Sequence, residues 1–400
     1  MDLRREGKII KALSFLFNLA MPLYLIYANL YFRRLGFTGG QIGFIVSAYY
    51  LTNFLFQPFW GYISDLFQAK KLVLMGLAVL SAGTVLIYLR GDSFTHILIT
   101  AAILGSTFPA IMPILDATAM EYIHRARVNY GSIRIFGSLG FMTAGLLGGQ
   151  ITGIFGLKSV FVGCSLTLLA IVIISSMLSG RAASDESEED TQKVSAAPLA
   201  AIGRTDQIRK LIQNRSFAFF LMTTFVVQGC MAMGFGFLNI HISNLGAPDS
   251  FIGTVWALAA LSEVPAFLAM AFFQKKIGAR GIVLMAYSVM AVRWLLFSFV
   301  RDPLMIIPVQ MMQGFSGGYF FGGSVTFVQE ESPNGLKATG QTIFGAVNLG
   351  LGPIVGMSLG GQLADLIGLS NLFLVCALLT AGAAVFFVIT QRGFAKPKET

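Results

Sequence analysis

Two stretches of this chain repeat each other 210 residues apart: LGFTGGQIG at Leu35–Gly43 returns as LGAPDSFIG at Leu245–Gly253. A second echo follows at nearly the same offset, where Gly148-Gly149-Gln150, Gly156-Leu157, Phe161 and Cys164 reappear as Gly360-Gly361-Gln362, Gly368-Leu369, Phe373 and Cys376. A chain made of two copies of one long unit is restricted to architectures that can be duplicated.

The composition says which kind. With 55% hydrophobic and 12% charged residues, each copy is suited to lipid rather than to water. A helix crosses the hydrocarbon with about 20 apolar residues. Twelve such runs lie near 10–32, 41–63, 72–89, 95–120, 132–155, 158–180, 216–242, 250–273, 281–300, 303–328, 339–364 and 369–390. Six fall in each half, and an even number returns the chain to its starting side, so the copies share one orientation. The expected fold is an all-α membrane protein of twelve transmembrane helices in two parallel-repeat six-helix bundles. Its expected domains are residues 1–180 and 215–400, joined by a linker at 181–214.

Lysine and arginine assign the sides. The termini, the linker and the even-numbered turns hold 21 of the 28 basic residues, the opposite loops hold five, and Arg134 and Arg293 fall within spans. The positive-inside rule puts both termini in the cytoplasm. The net charge of +9 then reflects topology and contact with anionic lipid headgroups, not nucleic acid. The start MDLRREGK leads into a run too long for a signal peptide and without a small-residue cleavage site. The linker carries DESEED at Asp185–Asp190 and reads as a solvated tether. Cys164, Cys230 and Cys376 sit within helices and read as small packing residues. His96, His124 and His241 form no metal motif, and neither a nucleophile elbow nor a zincin signature occurs. No enzyme, cofactor or metal is expected.

Charges inside the spans point to function, because each costs a few kcal/mol in the bilayer unless paired or wetted. Asp116 and Arg134 are equidistant from the turn at Arg125, which puts both about 10 Å inside the cytoplasmic boundary. Glu263 and Arg293 are centred on Gly278 and lie about 15 Å deep, near the midplane. One ion pair per half is expected to face a common cavity, with helix packing as the plain alternative. A carboxylate at that depth can carry a proton, its affinity raised by desolvation and lowered by the arginine. Asn53 is the repeat equivalent of Glu263 and joins Gln313 as a candidate for the substrate path. Trp256 and Trp294 flank the Glu263–Arg293 region, suited to stacking on a solute or to packing. Asn18, Asn29, Gln57, Gln228, Asn239, Gln310 and Asn348 read chiefly as hydrogen-bonding partners between helices. The glycines of spans 5 and 11 read as close-packing surfaces and not as a phosphate loop, since no strand precedes them.

The stretch PILDATAMEYIHRARVNYGSIRIFGSLGF, with LSEVPAFL and AVRWLLFSF, resembles the lactose permease and phenylpropionate permease branch of the major facilitator superfamily. GYISDLFQAKK at Gly61–Lys71 is similar to that superfamily's loop 2–3 signature. The resemblance spans the whole chain. It implies that Asp116 and Arg134 contact or gate substrate, that Glu263 contacts substrate and that Arg293 helps to couple protons. It further implies a gating motif in which Gly61 permits close helix packing and Asp65, Lys70 and Lys71 hold the cytoplasmic gate. One departure stands out: the branch has a histidine and a proton-carrying glutamate on helix 10, where this chain has Gln313 and Ser316. Neither titrates near neutral pH, so proton coupling falls to Glu263 or Asp116, or gives way to uniport or another ion.

The expectation is a monomeric secondary transporter of the bacterial inner membrane that takes up a small organic solute with protons by alternating access. Arginines left unneutralised favour aromatic or other organic acids as solutes; arginines neutralised by Asp116 and Glu263 favour a neutral sugar or nucleoside. Both substrate readings stand on sequence. Export of amphipathic compounds is the alternative within the class, and a non-transporting sensor the one outside it.

Overall fold

Four of the repeated glycines, Gly36, Gly156, Gly246 and Gly368, end helices. The protein is described by a computed structural model covering residues 3–129, 131–178, 211, 213–333 and 335–392. The expected acidic linker lies outside these residues except for 211, 213 and 214. In chain order the first six helices are α1 (Leu3–Arg34), α2 (Gly39–Leu66), α3 (Lys70–Ile87), α4 (Phe94–Ala126), α5 (Gly131–Phe155) and α6 (Lys158–Ser176). The second six are α7 (Arg215–Asn244), α8 (249–277), α9 (279–299), α10 (303–331), α11 (Lys337–Ile367) and α12 (Leu369–Arg392).

The repeat is written into the turns. Gly36 and Gly246 adopt φ values of 92° and 86°, left-handed conformations that glycine enters without a Cβ penalty. Phe37 N–H donates to the Phe32 carbonyl after the first glycine, and Ala247 N–H donates to the Ile242 carbonyl after the second. This reach back over the last turn satisfies carbonyls that a helix end leaves open. Gly156 and Gly368, at φ 77° and 78°, end α5 and α11, their own N–H groups donating to the Thr152 and Ala364 carbonyls. Thr38 then starts α2 with a capping box, its hydroxyl accepting from Gln41 N–H and its own N–H donating to the Gln41 side chain.

Helix packing repeats as well. A Cβ on Gly140 of α5 would collide with the Phe15 carbonyl of α1, and one on Gly352 of α11 would stand 3.2 Å from the Phe225 carbonyl of α7. Gly105 of α4 likewise rides on Tyr49 of α2, as Gly314 of α10 rides on the Ser262 carbonyl of α8. Small residues let apolar helices gain packing contacts where no hydrophobic drive exists between them.

The chain divides into two compact units, residues 1–195 with 242–258, and residues 196–241 with 259–400. In the first, Tyr24, Tyr88 and Phe161 pack together, with a 3.0 Å hydrogen bond between the two tyrosine hydroxyls. The first turns of α8 belong to this unit. Gly145 and Gly149 of α5 meet Gly253 and Ser250 there, where an added Cβ on either α5 glycine would come within 2.8 Å of a carbonyl oxygen. Arg34 clasps Asp249 through two hydrogen bonds of 2.9 and 2.6 Å. In the second unit, the corresponding aromatic layer is Trp294 against Phe373, and Gly234 leaves room for the indole.

Several expected spans are less regular than apolarity suggests. α4 is two helices, Phe94–Thr107 and Ile111–Ala126, because Pro109 has no N–H to continue the ladder. α10 starts as a 3-10 turn at Pro303–Met305 and contains a π-helical turn at Gly314–Gly318; α11 has another at Ala346–Leu351. The helical run Asp249–Phe299 is 51 residues long and breaks at Gly278 (φ 68°, ψ 179°), which separates α8 from α9. Leu268, Ile154 and Leu366 are 78%, 75% and 79% exposed, apolar surface that lipid can cover. The protein is a multi-pass membrane protein of the expected all-α class.

Replacing Gly140 or Gly352 with leucine should therefore destabilise the protein by about 1–3 kcal/mol through overpacking, seen as a lower unfolding temperature in detergent. Gly61→Ala should not lower that temperature, because a Cβ at Gly61 meets nothing within 4 Å and alanine favours the helix.

Candidate substrate and coupling site

A guanidinium buried in an apolar bundle has to be solvated by the protein itself. Arg293 of α9 is 0% exposed. Its Nη1 donates to Gln313 Oε1 at 2.5 Å and to Ser316 Oγ at 3.3 Å, while Nη2 donates to Gln310 Oε1 at 2.6 Å. All three acceptors come from α10, at positions 310, 313 and 316, spacing that gives one helix face. The π-helical turn at Gly314–Gly318 contains Ser316 and follows Gln313 directly. Such turns shift helix register and occur often at functional sites.

The acceptors are neutral, so they solvate the arginine without cancelling its charge. Glu263 of α8 acts on Arg293 electrostatically. The hydrogen bonds of the arginine go to neutral oxygens. The guanidinium carbon also lies 4.8, 5.2 and 5.5 Å from the ring centres of Trp294, Phe235 and Phe297. Aromatic faces attract a cation more strongly when it is desolvated. Trp294 is 0% exposed and stacks on Phe373, with ring centres 6.0 Å apart. Three N–H groups in this cluster, Arg293 Nε, Gln310 Nε2 and Trp294 Nε1, have no protein acceptor.

In the first unit, Asp116 is half-buried and lines a small cavity with Ile10, Leu13, Ser14, Leu115 and Ile133. Arg134 is exposed. Ion pairs of this unit join Arg34 with Asp249, Lys70 with Glu121 and Arg125 with Glu6. Asn53 is half-buried and its Oδ1 has no protein donor.

The loop 2–3 segment holds helices together in a way that only half matches expectation. Lys70 pairs with Glu121 of α4, and 210 residues later Arg280 pairs with Glu331 at 2.5 Å, so the repeat preserves both partners. Lys71 Nζ donates to the carbonyls of Ser176 and Leu178 at 2.6 Å each, placing a cation at the C-terminal end of α6. Asp65 is half-buried. Gly61 stands in open space and provides no close helix approach, contrary to the packing role expected for it. Tyr62 and Leu66 around it are exposed, while Trp60 donates to the Ser106 carbonyl of α4 at 2.6 Å and Ser64 is buried, so this end of α2 packs on another face.

Gln310 is the residue that sequence reasoning undervalued, as a mere helix-helix hydrogen bonder. The signal was its spacing of three from Gln313 and six from Ser316, combined with an arginine on the preceding span.

Six helices twice over, repeated seams and an intramembrane charge define a transporter of the major facilitator type. The chain belongs to the MFS_1 like family, whose model matches residues 9–375. It is 26% identical over 345 residues to an uncharacterized transporter of Bacillus subtilis, YwbF, covering 86% of this chain and 82% of that one. It is also 26% identical over 381 residues to the maltose permease of Geobacillus stearothermophilus, covering 94% and 92%. The crystal structure of the nucleoside transporter NupG superposes with a TM-score of 0.84 at 18% identity, covering 99% of this chain and all of that one. The protein is thus a membrane transporter and not an enzyme, acting on a small-molecule substrate.

Gln310→Leu and Gln313→Leu should each lower stability by about 1.5–3 kcal/mol, the worth of a hydrogen bond to a charged group. Denaturant titration in detergent checks this; unchanged midpoints for both would mean that Arg293 does not depend on α10.

Proposed function

We propose that this protein takes up a neutral, hydroxyl-rich solute, a sugar or a nucleoside, together with a proton carried by Glu263. The observation that carries the reading is the Arg293 cluster: a fully buried cation held by three neutral oxygens, with Glu263 acting on it. A site whose arginine already has a carboxylate acting on it has little demand for an anionic solute. The maltose permease relative and the likeness to a nucleoside transporter support the same substrate class. Since Gln313 and Ser316 cannot titrate near neutral pH, Glu263 is the carboxylate suited to exchange a proton, and Arg293 sets the balance between its charged and neutral forms. Asp116, Arg134, Asn53, Gln313 and Trp294 are proposed as the remaining residues of the substrate and proton path. Gly61, Asp65, Lys70 and Lys71 are proposed as the gating segment.

Residues 1–180 and 215–400 act in this proposal as the functional halves, tethered by 181–214, in a monomer whose termini are cytoplasmic and whose lipid is the bacterial inner membrane. Alternation of access then exposes the site to one side at a time.

The test is internal pH in proteoliposomes while maltose, a nucleoside and an aromatic acid are added in turn. Acidification with maltose or the nucleoside is expected for the wild type. Glu263→Gln should keep solute exchange and lose the pH change. A response only to the aromatic acid would overturn the substrate reading, and a wild-type pH response in Glu263→Gln would overturn the proton reading.

A further inference from the structure

Three sulfur atoms converge inside the second unit where packing alone does not require them. Cys230 and Met233 lie three residues apart on α7, which gives them one helix face. Cys376 reaches them from α12. The three residues are 1%, 5% and 0% exposed. Cys376 Sγ lies 3.9 Å from Met233 Sδ, and Cys230 is within side-chain reach of Cys376.

The repeat supplies a control built into the chain. Offsets of 210 and 212 residues assign Ala20, Leu23 and Cys164 to the matching positions of α1 and α6. The packing confirms the match: Gly148 of α5 abuts Leu23, and Gly360 of α11 abuts Met233. In the first unit this layer is closed by alanine, leucine and one cysteine, with Ala20 and Cys164 both 0% exposed. The fold can therefore be built without a thioether and a second thiol. Their presence in the second unit calls for a chemical explanation.

We propose that Cys230, Met233 and Cys376 form a binding site for one soft monovalent cation, Cu(I) or Ag(I). Thiolate and thioether ligands select soft metals, whereas carboxylates and waters select hard ones. Metal–sulfur bonds of about 2.3 Å that subtend a trigonal angle separate the sulfurs by about 4 Å. The Cys376–Met233 distance already has that value. Among the described residues, no group of three or more His, Cys, Asp or Glu is arranged to hold a metal; here the third donor is the Met233 thioether. Each coordinating thiol gives up its proton on binding, so affinity rises with pH.

The site also bears on transport. Met233 adjoins Gly234, over which the Trp294 ring lies, and Cys376 is three residues beyond Phe373, on which that ring stacks. A cation bridging α7 and α12 fixes both helices beside the Trp294–Arg293 cluster and slows transport.

The experiment titrates the purified full-length protein with Cu(I) anaerobically against a chromophoric Cu(I) chelator, with X-ray absorption on the loaded sample. One Cu(I) per chain is expected, in a shell of sulfur alone. Cys230→Ser and Cys376→Ser should weaken binding by more than the roughly tenfold that loss of an outer-shell partner costs, while Cys164→Ser changes nothing. Met233→Leu, close to volume-conserving and suited to keep the fold, should replace a three-sulfur shell with a two-sulfur one. The proposal is overturned if wild type binds no Cu(I), if the shell contains nitrogen or oxygen in place of sulfur, if Met233→Leu leaves shell and affinity unchanged, or if Cys164→Ser removes binding.

Discussion

A single buried cation organises the second half of this protein. Arg293 is enclosed in a bundle that has little water to offer, and an ion moved into such a medium without partners carries a penalty of several kcal/mol. The chain meets that demand with neutral oxygens from Gln310, Gln313 and Ser316, the faces of three aromatic rings and the electrostatic influence of Glu263. This division of labour matters. Neutral acceptors hold the arginine in place whatever the state of the carboxylate, so a change of charge on Glu263 does not dismantle the site. A pair held only by its mutual attraction would lack that tolerance.

The scaffold around it is made by glycine in two roles. At Gly36 and Gly246 the backbone turns left-handed and the preceding helix stops, which sets where α2 and α8 begin. Along α5 and α11 the missing side chains bring helices to carbonyl contact. The first role fixes the lengths of the helices and the second their separations. Both recur in each half, so two copies of one packing scheme support different polar interiors. The Arg293 cluster belongs to one copy and the Asp116 cavity to the other.

Much of this is legible in the sequence for a physical reason: helix ends and close approaches demand particular residues, and those demands repeat. The LG turns and the apolar runs were readable because each depends on local composition or on counting along a helix. What was not readable depends on rotation about a helix axis or on interrupted ladders. Arg134 is exposed while Asp116 is half-buried, a difference that counting from a turn does not give. The break at Pro109 and the π-helical turn before Tyr319 alter register within runs that look uniformly apolar. Gln310 was legible as a bond between helices, but not that its partner is the buried Arg293. Gly61 was given a neighbour, but a Cβ there would meet nothing within 4 Å.

The central claim is that Glu263 gains and loses a proton as solute binds while Arg293 stays held by α10. Infrared difference spectroscopy of the reconstituted protein reads this directly through the carbonyl stretch of a protonated carboxyl group. The account predicts a carboxylic acid band that changes when maltose or a nucleoside is added and is absent from Glu263→Gln. The same solute-dependent band persisting in Glu263→Gln, or solute binding to wild type with no carboxylic acid band at all, would contradict it.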